Sequence, residues 1–176
     1  MGYYKIINMS IAEFDHLPKD EQQSLLTKCC GSTAWVSKML TIFPVEDLVE
    51  LLEYAEEKWY ECSAKDWLEA FTHHPKIGDI ASLKEKFAGT AAWAAGEQSA
   101  VEGSSEETLE SLAASNQLYE EKFGFIFIVC ATGKSAAEML ALLQVRLQNK
   151  AEVEIEIAAT EQDKITKLRL EKMFAK

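Results

Sequence analysis

The sequence has no run of 18 or more apolar residues, and its first residues lack the basic start and long apolar stretch of a secretory signal peptide. We therefore expect neither a membrane span nor a secretory signal. Basic residues are also in the minority, with 18 Lys and Arg against 29 Asp and Glu, for a formal net charge of −11. Because phosphate binding needs a basic surface, this charge argues against nucleic acid as a partner.

Cysteine is scarce and irregularly spaced. The four cysteines are Cys29, Cys30, Cys62 and Cys130, and they form neither a CxxC pair nor a zinc-like spacing. We interpret them as reduced thiols of a cytoplasmic protein, with Cys130 in the core.

The sequence contains several patterns that typically begin α-helices. Capping-box patterns begin at Ser10, Ser104 and Ser135, each with a glutamate three residues later. Apolar residues recur at helical spacing after these starts and over residues 47–61. At 176 residues the chain is long enough for one core. We predict an all-α, single compact domain of about eight helices over residues 1–176, with helices over residues 80–87 and 91–98 among them.

Two segments carry more detailed expectations. Residues 125–131 are a continuous apolar run with β-branched members, too short for a typical helix, and we predict one short extended buried segment there. The second helix is expected to be capped by Asp20. The last helix should cover residues 151–174, and the side chains expected to face its core are Ile155, Ala158, Ala159, Ile165, Leu168 and Met173.

Polar residues stand out at three places among apolar or small neighbours. His74 precedes Pro75, which stops the preceding helical pattern, and histidine titrates near neutral pH. Glu97 and Gln98 follow a stretch of small residues, and Arg169 lies between two leucines. Taken alone, Glu97 and Arg169 are more simply explained as structural residues. Glu97 could lie on a solvated helix face, and Arg169 could pair with a neighbour on its own helix such as Asp163 or Glu161. A metal site is less favoured, because the side chains of adjacent histidines usually diverge.

Five short motifs occur in one order along the chain: His74-Pro75-x-Ile77-Gly78, Glu97-Gln98, Leu118-Tyr119-x-x-x-Phe123-Gly124-Phe125-x-Phe127, Arg146-Leu147-x-Asn149 and Leu168-Arg169-Leu170. No single motif is specific, but together they resemble the family of 2-oxo-4-hydroxy-4-carboxy-5-ureidoimidazoline (OHCU) decarboxylases of urate breakdown. The resemblance covers essentially the whole chain. It implies an all-helical homodimer that converts OHCU to (S)-allantoin and needs no metal or organic cofactor.

The same resemblance implies the site residues. Catalytic roles fall on His74, Glu97 and Arg169, and Gln98 contacts the substrate. Further substrate contacts fall on Pro75, Ala94, Phe127, Ile128, Val129, Cys130 and Ala131. This sequence departs from the family pattern at Ala94, where many members carry serine, and at Ile126, where proline is common.

The implied reaction has a chemical logic, because the substrate carries an imine beside the carbon that loses carbon dioxide and so supplies its own electron sink. Two other readings stay open at the level of sequence. One is a hydrolase that acts on a related ureide ring with His74 as general base. The other is a non-catalytic helical interaction module of the same fold.

Overall fold

A computed structural model describes residues 9–74 and 106–175 of the chain. These residues form eight α-helices with no β-strand among them, which confirms the predicted all-α class. No helix in this part of the chain is long and apolar enough to cross a membrane. The helices are α1 (Ile11–Asp15), α2 (Lys19–Cys29), α3 (Thr33–Met39), α4 (Leu48–Tyr60), α5 (Ala64–Thr72), α6 (Glu106–Phe123), α7 (Ala136–Arg146) and α8 (Ala151–Met173).

The chain divides into two compact units. Unit 1 contains Met1–His73 and Ala159–Lys176, and unit 2 contains His74–Ala158. The helices predicted over residues 80–87 and 91–98, and the cap predicted at Ser104, lie outside the described residues.

Capping boxes begin three of the helices. Ser10 starts α1 and Ser135 starts α7, as predicted, and a third box with an aspartate starts α5 at Ser63. The predicted cap of α2 at Asp20 is wrong. The helix begins at Lys19, because the carbonyl of Pro18 already accepts the first intrahelical hydrogen bonds.

Tryptophans organise the core of unit 1. Trp35 and Trp59 are fully buried, and each indole N–H donates to a backbone carbonyl 2.9 Å away. The acceptor of Trp35 is Ala55 on α4, and that of Trp59 is Ala159 on α8. Since a buried indole N–H needs a partner, these bonds join α3 to α4 and α4 to α8 while the rings fill the core.

The buried face of α8 is more polar than predicted. Ile155, Ile165 and Leu168 are only half-buried, although they were expected to face the core. Two of the polar side chains buried instead have partners on the same helix: Gln162 donates to Thr166 over 3.1 Å, and Oδ2 of Asp163 pairs with Lys167 over 3.0 Å. The buried Oδ1 of Asp163 accepts no hydrogen bond in the described part of the chain. The buried residues of α8 are Glu154, Ala158, Ala159, Gln162, Asp163, Thr166, Leu170 and Met173.

In unit 2 a non-helical segment connects α6 and α7. Gly124 ends α6 with a left-handed φ of 77°, which glycine adopts without steric cost. Residues 125–131 are neither helical nor paired in a strand, as the sequence indicated. Only Phe125 and Ile128 of the segment are buried, and Cys130 is half-buried rather than in the core. The ring of Tyr119 packs edge-on against Phe125, with the ring centroids 5.7 Å apart.

Candidate active site

The candidate catalytic histidine, His74, is half-buried and directly follows the C-cap of α5, His73. The backbone at Gly31 lies against the side chain of His73. A Cβ at Gly31 would lie 2.4 Å from Cγ and 2.6 Å from Cβ of His73. Only glycine therefore allows the α2–α3 connection to approach the end of α5 this closely, one residue before His74.

Arg169 on α8 is anchored at the C-terminal end of α2. Its Nη1 donates to the carbonyl of Cys29 over 3.0 Å and to that of Lys28 over 3.3 Å. A helix C-terminus carries unpaired carbonyls and partial negative charge, so it favours a cation. In the described part of the chain, Nη2 and Nε of Arg169 donate to no acceptor. The guanidinium therefore has one anchored nitrogen and two further donors for a carboxylate or ureido group.

The carboxylates weighed as structural partners of Arg169 are engaged elsewhere. Asp163 pairs with Lys167 over 3.0 Å, and Glu161 pairs with Lys164 over 2.6 Å. In the part of the chain that the structure describes, no ion pair joins Arg169 to either of these carboxylates.

The two cysteines beside Arg169 are unsuited to nucleophilic chemistry. Burial raises the pKa of the Cys29 thiol to about 12, and burial raises that of Cys30 to the same range. Because the thiolate is the nucleophile, both residues stay protonated and act as small core side chains.

A buried ionic cluster lies next to the segment at residues 125–131. Arg146 on α7 is 6% exposed and Glu154 on α8 is fully buried, and Nη2 of the arginine lies 2.6 Å from Oε1 of the glutamate. The Tyr119 hydroxyl donates to the same carboxylate, and the side-chain amide of Asn149 donates to Glu154 Oε2 over 2.7 Å. Arg146 Nη1 donates to the carbonyl of Ile128 over 2.7 Å, so the cluster binds the segment directly.

The aromatic rings around the arginine complete its enclosure. The guanidinium carbon lies 4.7 Å from the centroid of Phe127, a favourable cation–π distance. Burial raises the pKa of Tyr119, and the hydrogen bond to Glu154 raises it further, so the hydroxyl remains a donor.

The sequence motifs marked three members of this cluster, Tyr119, Arg146 and Asn149, without indicating what they do. Glu154 was not identified at all. The signal that could have found the cluster is the arginine itself, one of two in the chain, which ends the apolar helix α7.

A tight turn follows the segment. The backbone N–H of Lys134 donates to the carbonyl of Ala131 over 3.1 Å, and Gly133 adopts a left-handed φ of 75°. The ammonium of Lys134 reaches back to the carbonyl of Cys130 at 2.8 Å. The turn therefore fixes the end of the segment, as Arg146 fixes its middle.

The structure describes seven of the expected site residues. His74 and the five residues 127–131 belong to unit 2, and Arg169 belongs to unit 1. Pro75, Ala94, Glu97 and Gln98 lie outside the described residues. Within residues 9–74 and 106–175, no group of three or more His, Cys, Asp and Glu side chains could bind a metal ion.

Comparison with protein families adds to this geometry. The family model described as OHCU decarboxylase matches residues 15–171. This chain belongs to that family. The family expected from the five motifs is therefore confirmed.

Individual members of the OHCU decarboxylase family are similar over most of the chain. The "Uric acid degradation bifunctional protein TTL" of Arabidopsis thaliana is 44% identical over 151 residues, which are 84% of this chain and 45% of the plant protein. The "2-oxo-4-hydroxy-4-carboxy-5-ureidoimidazoline decarboxylase" of Haloferax volcanii is 25% identical over 95% of this chain and 97% of its own length. This chain thus spans less than half of the bifunctional plant relative.

A solved structure supports the same fold. The crystal structure of an OHCU decarboxylase in the presence of (S)-allantoin is 40% identical, with a TM-score of 0.70. The similarity covers 85% of this chain and 96% of that one. The structural similarity therefore extends over nearly the whole chain of that OHCU decarboxylase.

Proposed function

We propose that this chain decarboxylates OHCU to (S)-allantoin in the breakdown of urate. The observation that carries this proposal is the family match over residues 15–171, together with 40% identity to an OHCU decarboxylase whose crystal structure was determined with (S)-allantoin. The anchored guanidinium of Arg169 supports it further, because a fixed planar fork suits a carboxylate or ureido group.

The reaction divides into bond cleavage and proton transfer. The bond between the ring carbon and its carboxylate breaks, and carbon dioxide leaves. The electron pair left behind forms a double bond to the neighbouring imine carbon, whose own pair moves to nitrogen. The nitrogen that received this pair takes up a proton and becomes an N–H. One face of the former imine carbon receives a second proton, and the ring hydroxyl loses its proton to become a carbonyl, so that one proton is taken up overall. The protein therefore has to orient the carboxylate, stabilise developing charge and direct one proton to one face.

The proposed division of roles follows the family resemblance. His74, oriented by Glu97, contacts the substrate hydroxyl and exchanges protons, since imidazole titrates near neutral pH. Arg169 and Gln98 bind the ureidoimidazoline ring. Contacts from Pro75 and Ala94, and from Phe127, Ile128, Val129, Cys130 and Ala131, complete the substrate site.

We further propose that residues 1–176 form one OHCU decarboxylase-like domain that assembles as a homodimer. Exposed apolar side chains in unit 2 support self-association. Leu142 and Val145 lie three residues apart on one face of α7 and are 37% and 67% exposed, and Leu118 on α6 is 56% exposed. Sedimentation equilibrium would test this, and a monomer at micromolar concentration would contradict it.

A cytoplasmic location is proposed from cysteine chemistry. All four cysteines are free thiols, as expected in a reducing compartment. Fractionation of the native cells, with the protein followed by immunoblot, would test this location.

The function is tested by carbon dioxide release from freshly prepared OHCU. His74→Asn keeps a hydrogen-bonding side chain but cannot exchange a proton near neutral pH, so turnover should fall about 10²–10⁴-fold or more. Glu97→Gln should reduce turnover less. His16→Asn, at the exposed histidine that follows α1 as its C-cap, is the matched control and should turn over like the parent. A parent protein that releases no carbon dioxide, or a His74→Asn variant with normal turnover, would refute the assignment.

Substitution of Arg169 tests substrate binding separately. Arg169→Lys keeps the charge but loses the planar fork, so (S)-allantoin should bind more weakly when measured by calorimetry. Equal affinity of the variant and the parent would make Arg169 structural.

A further inference from the structure

The segment at residues 127–131 contains two peptide groups whose carbonyl ends are bound by cations. Arg146 Nη1 lies 2.7 Å from the carbonyl oxygen of Ile128, and Lys134 Nζ lies 2.8 Å from that of Cys130. Both peptide bonds are trans, because the single cis bond of the described chain is Phe43-Pro44. In a trans peptide the C=O and the following N–H point in opposite directions. The amides of Val129 and Ala131 are therefore directed away from the two cations.

In the described part of the chain, the N–H groups of Val129 and Ala131 donate to no acceptor, although both residues are half-buried. Most backbone donors away from bulk water are paired with protein, water or ligand. Two unpaired donors, two residues apart in the segment that the family resemblance assigns to the substrate, are suited to oxygen atoms of a ligand.

Arg146 cannot itself take the role of a substrate contact. It is 6% exposed, and its guanidinium is occupied by Glu154 and the Ile128 carbonyl and lies over the ring of Phe127. Arg146 can therefore affect a ligand only through the peptide group whose carbonyl its side chain binds. A cation at the carbonyl oxygen also polarises that peptide and strengthens its N–H as a donor.

We propose that Arg146 and Lys134 are positioning residues that direct the Val129 and Ala131 amides toward oxygen atoms of the substrate. Glu154, Tyr119 and Asn149 keep Arg146 in place for this purpose. The inference rests on the proposed function and adds to it the residues that organise the substrate-binding backbone.

Lys134→Met is the first test, because it keeps the apolar stem and removes only the ammonium of a half-buried turn residue. The expected result is a rise in KM for OHCU of about fivefold to tenfold, with a smaller change in kcat, since a hydrogen bond to the bound substrate is weakened. Lys150→Met is the matched control, at an exposed lysine for which no side-chain contact exists in the described chain. It should leave KM at the parental value.

Arg146→Lys is the second test and is followed by NMR. In the parent, the Val129 amide proton should move downfield when (S)-allantoin is added. In Arg146→Lys the single ammonium cannot bind Glu154 and the Ile128 carbonyl in the same geometry, so this shift should shrink. The Ala131 amide should respond in the same way to Lys134→Met. A purely structural role would lower thermal stability without changing these shifts.

The outcomes separate the inference from the function. If the parent releases carbon dioxide, a parental KM in Lys134→Met and unchanged amide shifts in both variants would overturn the inference alone. A parent that releases no carbon dioxide would overturn the proposed function and the inference with it. If Arg146→Lys does not fold, Lys134→Met decides the question by the same measurements.

Discussion

At the scale of single residues, Gly31 shows how one missing side chain positions another residue. The position that a Cβ would occupy at Gly31 is 2.4 Å from the Cγ of His73, nearer than real carbon atoms approach without a bond. The end of α5 can therefore meet the α2–α3 connection only if residue 31 is glycine. His74 is the next residue along the chain.

Gly31→Ala should destabilise the protein by about 1–3 kcal/mol, because an added methyl group in a filled contact forces its neighbours to move. Displacement of His73 should also shift His74 and lower the rate of carbon dioxide release. Urea unfolding and the decarboxylation assay measure the two effects. The double variant Gly31→Ala with His73→Gly removes all three His73 side-chain atoms that clash with the added Cβ and should recover stability. An alanine variant as stable as the parent would show that the contact is not tight.

Glu154 is the second residue whose role is visible only in the structure. It balances the charge of Arg146 inside unit 2, and removal of one member of a buried pair leaves the other uncompensated. Glu154→Gln should therefore lower the free energy of unfolding by about 3–5 kcal/mol. Glu152→Gln, at an exposed position on the same helix, should change it by less than about 0.5 kcal/mol. Equal effects of the two changes in chemical denaturation would contradict this account.

At the scale of elements, the helix starts depend on serine and acid pairs three residues apart. At α7 the Ser135 hydroxyl accepts from the backbone N–H of Glu138 over 3.3 Å, and the glutamate accepts from the backbone N–H of Ser135 over 2.8 Å. The backbone hydrogen bond from Ser135 and then its hydroxyl lower the pKa of Glu138 below the usual 4.5.

This shift predicts a pH dependence of stability with a definite sign. A carboxyl whose pKa is lower in the folded state contributes stability above its unfolded pKa of 4.5, and the contribution is lost as the pH falls through the folded pKa. Glu138→Gln should therefore be less stable than the parent at neutral pH, and the difference should vanish well below pH 4.5. Urea unfolding across this range measures it. Glu110→Gln, at an exposed position on α6, should show no such trend, and a Glu138→Gln difference that grows toward acid would reverse the assignment.

At the scale of the whole molecule, the proposed chemistry requires no cofactor, because the imine of the substrate accepts the electrons released with carbon dioxide. Carbon dioxide release should therefore survive exhaustive dialysis against a chelator. The assay compares the dialysed protein with the same sample after addition of zinc. Activity that is lost on dialysis and restored by zinc would place a metal at the site and defeat the proposed mechanism.

The sequence was sufficient for the helical class, for most helix starts and for the family. Capping pairs such as Ser135 and Glu138 meet because helix geometry alone brings residues three apart together. The continuous apolar run at residues 125–131 likewise indicated the non-helical segment between α6 and α7. The catalytic roles of His74, Glu97 and Arg169 stay predictions, since sequence motifs name these residues without showing how they meet.

Tertiary packing decided the contacts between residues that are distant in the chain. Arg169 binds the carbonyl of Cys29, 140 residues away, and Arg146 binds that of Ile128, 18 residues away. No local pattern encodes such a pairing, because it depends on which helix faces are packed together. The same reason explains why the buried face of α8 was misjudged. Its inward carboxylate, Glu154, is stable there only because packing brings Arg146, Tyr119 and Asn149 to it.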